Sequence, residues 1–162
     1  MDSAAVRQGI YFGINSGIIT TIGLINGLVQ SNINRHLLII SVVSLAISDG
    51  ISEAYSIYLS KKAENINDQS KAPLYSFMTL LVSKFLVVVS FLLPMIFTKS
   101  LRIYKNMSWV LIWGFLITIV FDYRLSKLRG EPLLSYLVPH SLIIILVIIL
   151  TKFFGMFIEK HS

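Results

Sequence analysis

Five long apolar runs constrain the fold of this chain more than any other feature of its sequence. Each approaches the length of about 20 helical residues that crosses a bilayer core about 30 Å thick. The longest polar segment between them, Lys61–Pro73, is too short to fold independently. The sequence therefore predicts an all-α integral membrane protein in which residues 1–162 form one domain, with transmembrane helices at Gly9–Val29, Leu37–Ser60, Leu74–Phe97, Met107–Tyr123 and Leu133–Phe157.

The composition excludes several classes of protein. The chain is 55% hydrophobic and only 14% charged, whereas soluble domains carry roughly 25% charged residues. The net charge of +6 comes from residues that lie mostly between the apolar runs, where they meet lipid head groups, so the bilayer and not nucleic acid is the expected partner. The chain has no cysteine, which excludes thiolate metal sites, and it lacks the common catalytic motifs, so we do not expect an enzyme.

The distribution of lysine and arginine indicates an orientation. Seven of these residues fall on the side of the N-terminus and six on the other side. Because cytoplasmic loops carry the excess of positive charge, this bias favours a cytoplasmic N-terminus. We expect a multi-pass protein of the cell membrane, or of a vacuolar or other organelle membrane in a eukaryote.

Glycines recur at helical spacing in the first predicted helix. Gly13 and Gly17 are four residues apart, as are Gly23 and Gly27. Small residues at this spacing let helices approach closely in lipid. We interpret these glycines as a packing face, and some of them as possible hinges.

Two carboxylates, Asp49 and Glu53, lie four residues apart in the second predicted helix and therefore share one face. A carboxylate inside the membrane costs at least about 2.5–3.5 kcal/mol, so both need a structural or functional reason. Lys84, in the antiparallel third helix, lies at about the depth of Asp49 and is its expected ion-pair partner. A stripe of serines also runs along the second helix, at three- or four-residue steps.

Glu53 has no obvious basic partner at its own depth. Residues expected at that level are Asn15, Ser16 and His140. A carboxylate, an amide oxygen, a hydroxyl and an imidazole together suit a hard or borderline divalent cation, or a proton relay. His140 also follows a proline, so capping a kink is an equal alternative for it. For Asp122 we expect a surface pair with Arg124 or Lys127, which follow it closely.

Two segments carry a resemblance to a known family: FGINSGIITTIGLINGL (Phe12–Leu28) and AISDGISEAYSIYLSKKAE (Ala46–Glu64), together 36 of the 162 residues. They resemble the first two helices of the vacuolar iron transporter family. It implies a five-helix protomer that forms a homodimer, with a cytoplasmic N-terminus and an ion path at the two-fold interface that is lined by the first helix. It also implies export of Fe²⁺ or Mn²⁺ from the cytosol in exchange for protons, with the metal as cargo and no permanently bound cofactor.

The chain departs from the family pattern at three places. Ser16 stands where the family has an aspartate, and Glu53 stands where it has a methionine. The segment Lys61–Pro73 is too short for the metal-binding insert of some members. Two hypotheses follow: a metal/proton antiporter in which a carboxylate has moved from the first helix to the second, or a non-transporting membrane assembly or interaction protein that keeps the family fold.

Overall fold

The computed structural model describes residues 3–30, 33–64, 71–93 and 107–161. Within these residues the chain forms five α-helices and no strand. All five are long and apolar enough to cross a membrane, by length and composition. The predicted all-helical class and number of spans are thus confirmed. The helices are α1 (Ser3–Gln30), α2 (Arg35–Glu64), α3 (Ala72–Ser90), α4 (Ser108–Arg129) and α5 (Leu134–His161).

Two helices end at different residues from the predicted spans: one is longer than predicted and the other ends earlier. α4 extends past the predicted end at Tyr123 and stops at Gly130, which adopts the left-handed conformation (φ 69°) that favours glycine. α3 ends at Ser90. Beyond it the hydrogen bonds join residues three apart, and the Phe91 N–H donates to the Val88 carbonyl at 3.2 Å. The predicted third span continues to residue 97, and its last four residues lie outside the described residues.

α1 occupies the centre of the bundle and contacts every other helix. Its most extensive contact is with α3 and its next is with α5, while α2 packs chiefly on α3. Close approach to α3 depends on Gly9 and Gly13, where an added Cβ would lie 2.6 Å from the carbonyl oxygens of Ser76 and Leu80, respectively. α1 therefore lies between α3 and α5, its two main neighbours.

Each of the helices α2, α3 and α4 buries one stripe of residues at four-residue steps. These stripes combine small, polar and apolar side chains, as is typical where helices pack closely in lipid. The stripes are Leu38, Val42, Ala46, Gly50 and Ala54 on α2; Ser76, Leu80, Lys84 and Val88 on α3; and Val110, Gly114, Thr118, Asp122 and Ser126 on α4.

The outer surface is strongly apolar. α5 is the most hydrophobic helix, and only 6% of its most apolar stretch is buried within the chain. Large side chains such as Leu142, Ile149 and Phe153 are more than half exposed. Such a surface exceeds the apolar patches of soluble monomers and is typical of a bundle surrounded by lipid.

Candidate functional site

A buried lysine lies at the centre of the candidate site. The side chain of Lys84 is 0% exposed, and its Nζ donates hydrogen bonds to Asp49 Oδ2 at 2.5 Å and to Ser16 Oγ at 2.9 Å. Glu53 Oε2 lies 2.6 Å from the same nitrogen as an ion-pair contact. Ser16 Oγ in turn donates to Glu53 Oε1 at 2.7 Å. One ammonium group thus connects side chains of α1, α2 and α3.

The local structure explains why these groups meet. Asp49 and Glu53 are one helical turn apart, so their carboxylates project from the same side of α2, one above the other. Lys84 belongs to the buried stripe of α3. Its backbone comes close to α1 because Gly13 and Gly17 have no side chains. A Cβ on Gly13 would lie 3.1 Å from the backbone nitrogen of Lys84.

The site carries an excess of negative charge. Two carboxylates face one ammonium, and the side chains of Asp49 and Glu53 remain 29% and 25% exposed, respectively, while that of Lys84 is enclosed. Glu53 Oε2 is buried and accepts no hydrogen bond from the described residues, although Lys84 Nζ is close to it. Its contact with Lys84 is thus an ion pair that lacks hydrogen-bond geometry.

Lys84 contacts both carboxylates, which corrects one expectation. The pairing with Asp49 agrees with the argument from depth, but Glu53 was expected to lack a basic partner. Because residues four apart are separated by only about 6 Å along the helix axis, a single lysine that faces both carboxylates can reach both. That spacing was the signal in the sequence that could have indicated the bridge.

Asn15 and His140 do not join this network. Asn15 Oδ1 is buried and has no hydrogen-bond partner among the described residues, and Asn15 lines a cleft between α1 and α4 whose rim includes Arg7 and Arg129. His140 lies against α4, with its Nδ1 3.3 Å from Asp122 Oδ2. The structure therefore assembles Ser16, but not Asn15 or His140, with Glu53.

The expected surface pair of Asp122 with Arg124 or Lys127 is wrong. Asp122 is 3% exposed and faces His140, which is 8% exposed, so the two side chains form a polar contact between α4 and α5. The four-residue stripe that contains Gly114, Thr118 and Asp122 indicates its burial. That periodicity outweighs the neighbouring basic residues, which are exposed.

The glycines of α1 have different surroundings. A Cβ on Gly13 or Gly17 would meet atoms of α3, and one on Gly23 would lie 2.9 Å from Val147 Cγ1 of α5. A Cβ on Gly27 would have no neighbour within 4 Å among the described residues. The packing interpretation therefore fits the first three glycines, and no such contact accompanies Gly27.

The serine stripe of α2 lies on the outside of the chain. Ser48 and Ser56 are exposed, and each hydroxyl donates to the backbone carbonyl four residues earlier, Ser44 and Ser52, respectively. These bonds satisfy the hydroxyl donors within the helix itself. The stripe runs along the same helix as the two partly exposed carboxylates, so the outer face of α2 is unusually polar for this bundle.

The donor set for a metal at this site is limited to oxygen. The described residues contain no group of three or more His, Cys, Asp or Glu side chains that could hold a metal ion. A cation in the place of the Lys84 ammonium would meet Asp49, Glu53 and Ser16. Carboxylate oxygens suit hard cations such as Mg²⁺, Ca²⁺ and Mn²⁺.

Comparisons of this chain with protein-family models, with curated proteins and with solved structures each return no match.

Proposed function

We propose that this chain is a proton-coupled transporter of a divalent transition metal, Fe²⁺ or Mn²⁺, which it exports from the cytosol in exchange for protons. The observation that carries the proposal is the contact of one buried ammonium, Lys84, with the carboxylates of Asp49 and Glu53. Isolated charges are costly inside a membrane, and ionisable residues there commonly mark ion pathways. The choice of Fe²⁺ or Mn²⁺ as the transported ion rests on the resemblance of α1 and α2 to vacuolar iron transporters.

Charge balance gives the proposed coupling. The two carboxylates and the protonated Lys84 sum to a charge of −1. A divalent cation bound to the carboxylates beside a protonated lysine would raise this sum to +1, whereas loss of the lysine proton brings it to zero. In the proposed coupling a bound metal takes over the positive charge of the Lys84 ammonium, so that metal and proton compete for the two carboxylates and the return of a proton displaces the metal.

Uptake into proteoliposomes tests this function. We expect the wild-type protein to accumulate Mn²⁺ or Fe²⁺ when a pH gradient is imposed, and Glu53→Gln to lose at least about tenfold in uptake, as is common when a metal site is disturbed. Glu64→Gln is the matched control, because Glu64 is an exposed residue at the end of the same helix. Wild-type uptake by Glu53→Gln, or no uptake by folded wild-type protein, would contradict the proposal.

Proton release provides a second readout of the same site. When Mn²⁺ is added to purified protein in weak buffer, we expect about one proton to be released for each metal bound, because metal and proton compete for the site. Lys84→Met, in which the releasing group is absent, should bind without this release. Equal proton release by the variant and the wild type would assign the proton to another group.

A second candidate function is a non-transporting membrane assembly or interaction protein. The observation that favours it is the same network, because Lys84 already compensates both carboxylates and links three helices. In that case the network is purely structural. The protein would then show the stability effects described in the Discussion and no metal binding.

We also propose a homodimer, as the resemblance implies. Support comes from the polar outer face of α2, where the exposed serines and the partly exposed carboxylates would be covered by a second copy. Gly13 and Gly17 are already covered by α3 of the same chain. A dimer interface would therefore use the outer face of α2 and not this glycine face of α1.

A further inference from the structure

A groove with basic residues at its rim runs between α1 and α4, away from the lysine–carboxylate network. Its volume is about 490 Å³. Arg7 of α1 and Arg124 and Lys127 of α4 supply its charge, while Tyr11, Phe121 and Leu128 form apolar walls. We refer to these six residues as the basic groove.

The positive charge of the basic groove is not compensated locally. Within the part of the chain that the structure describes, neither Arg7 nor Arg124 forms an ion pair, and Lys127 lies over the ring of Tyr123 at 5.7 Å from its centroid. The acid nearest to Arg124 in sequence, Asp122, is turned inward against His140. The acid nearest to Lys127, Glu131, contacts Arg129 and Tyr136. The groove therefore presents three cations to a ligand.

The walls of the groove are suited to a hydrocarbon chain. Tyr11 and Phe121 meet edge to face, with ring centroids 6.2 Å apart, and connect the two helices beneath the charged side chains. Arg7 and Arg124 are exposed near the ends of their apolar helices, where long basic side chains place their charges at the membrane–water boundary. A ligand that fits has an anionic head and an apolar tail.

We infer that the basic groove binds an anionic phospholipid, whose phosphate lies among Arg7, Arg124 and Lys127 and whose acyl chain lies along Tyr11, Phe121 and Leu128. Basic pockets between transmembrane helices are suited to such head groups. The predicted orientation places this groove on the cytoplasmic side, where anionic lipids are enriched. The inference does not depend on metal transport.

Native mass spectrometry of the detergent-solubilised protein tests this inference. We expect phosphatidylglycerol to bind more tightly than phosphatidylcholine with the same acyl chains. The variant Arg7→Gln/Arg124→Gln should bind phosphatidylglycerol about 30-fold more weakly, from the typical contribution of a basic residue near an anionic membrane surface. Both arginines are exposed, so this variant should fold normally.

The matched control is Lys61→Gln/Lys62→Gln, which removes the same charge from the same end of the bundle. The Tyr58–Phe77 ring contact and the Ser76–Ala5 hydrogen bond place the end of α2 level with the start of α1. We expect this control to bind phosphatidylglycerol normally, and millimolar inorganic phosphate not to displace the lipid. Equal weakening by both variants, equal binding of the two lipids, or displacement by inorganic phosphate would overturn the inference.

Discussion

Lys84 is the residue on which the candidate site depends most directly. Fully buried lysines are rare in proteins unless they are paired. Here the pairing is double, and the hydrogen bond to Ser16 supplies a third partner. Because removal of one partner leaves the others as uncompensated charges, the network should tolerate combined changes better than single ones.

This asymmetry gives a prediction at the residue scale. Lys84→Met leaves two carboxylates facing each other without a cation, and we expect it to lower the free energy of unfolding by about 3 kcal/mol, the low end for a broken buried pair, since both acids are partly exposed. Asp49→Asn should cost less, because Glu53 still compensates Lys84. Thermal unfolding in detergent measures the differences.

The triple variant Asp49→Asn/Glu53→Gln/Lys84→Met is the control for this series. It removes all three charges together and should recover much of the stability that Lys84→Met loses. If the triple variant is no more stable than Lys84→Met alone, the charges do not interact in the way that the structure indicates.

At the same scale, the sequence predicted individual partners only in part. Lys84 and Asp49 could be paired because depth follows from counting residues along two antiparallel helices. The partner of His140 could not be obtained in this way. Depth gives a level in the bilayer but not a direction around the helix axis, and His140 faces Asp122 of α4 instead of Glu53.

At the scale of elements, the contact between α1 and α3 determines where the site forms. The two helices lie close enough for Ser76 Oγ to donate to the Ala5 carbonyl at 3.0 Å. Apolar runs predicted both helices. The choice of neighbour depends on which helix presents small residues to the glycines, and hydropathy does not contain that information.

Substitution of Gly13 tests the importance of this contact. In Gly13→Ala the new Cβ would lie 2.6 Å from the Leu80 carbonyl oxygen and would also meet Ser83 Oγ, so α3 must move away. We expect a loss of about 1–3 kcal/mol in the free energy of unfolding, as is typical of overpacking. The displacement also moves Lys84, so under the proposed transport function metal uptake should fall together with stability.

Gly27→Ala is the matched control on the same helix. Its Cβ would meet no described atom within 4 Å, and alanine favours a helix by up to about 1 kcal/mol over glycine. We therefore expect unchanged or slightly higher stability. Similar losses in Gly13→Ala and Gly27→Ala would show that helix flexibility, and not packing, is what these glycines provide.

At the scale of the whole molecule, the five helices predict which connections share a side of the membrane. With a cytoplasmic N-terminus, Lys71 and Glu131 lie on the cytoplasmic side and Asn34 and Met107 on the opposite side. The natural chain has no cysteine, so single cysteines introduced at these positions can be labelled without background.

We expect a membrane-impermeant thiol reagent added to intact cells that carry the protein in their surface membrane to label Asn34→Cys and Met107→Cys. Lys71→Cys and Glu131→Cys should react only after the membrane is permeabilised. The reverse pattern would invert the orientation, which rests on a small excess of basic residues. Labelling of Asn34→Cys and Glu131→Cys from the same side would contradict the five-span topology.

The central position of α1 has a consequence for biosynthesis. α1 leaves the ribosome before the four helices that it later contacts, so Ser16 and Asn26 are made before their partners. Lys84 follows its partner Ser16 by 68 residues. Thr151, which accepts a hydrogen bond from Asn26, follows Asn26 by 125 residues. Likewise, Lys84 follows its partner Asp49 by 35 residues. The packing of α1 is therefore complete only after α5 has been synthesised.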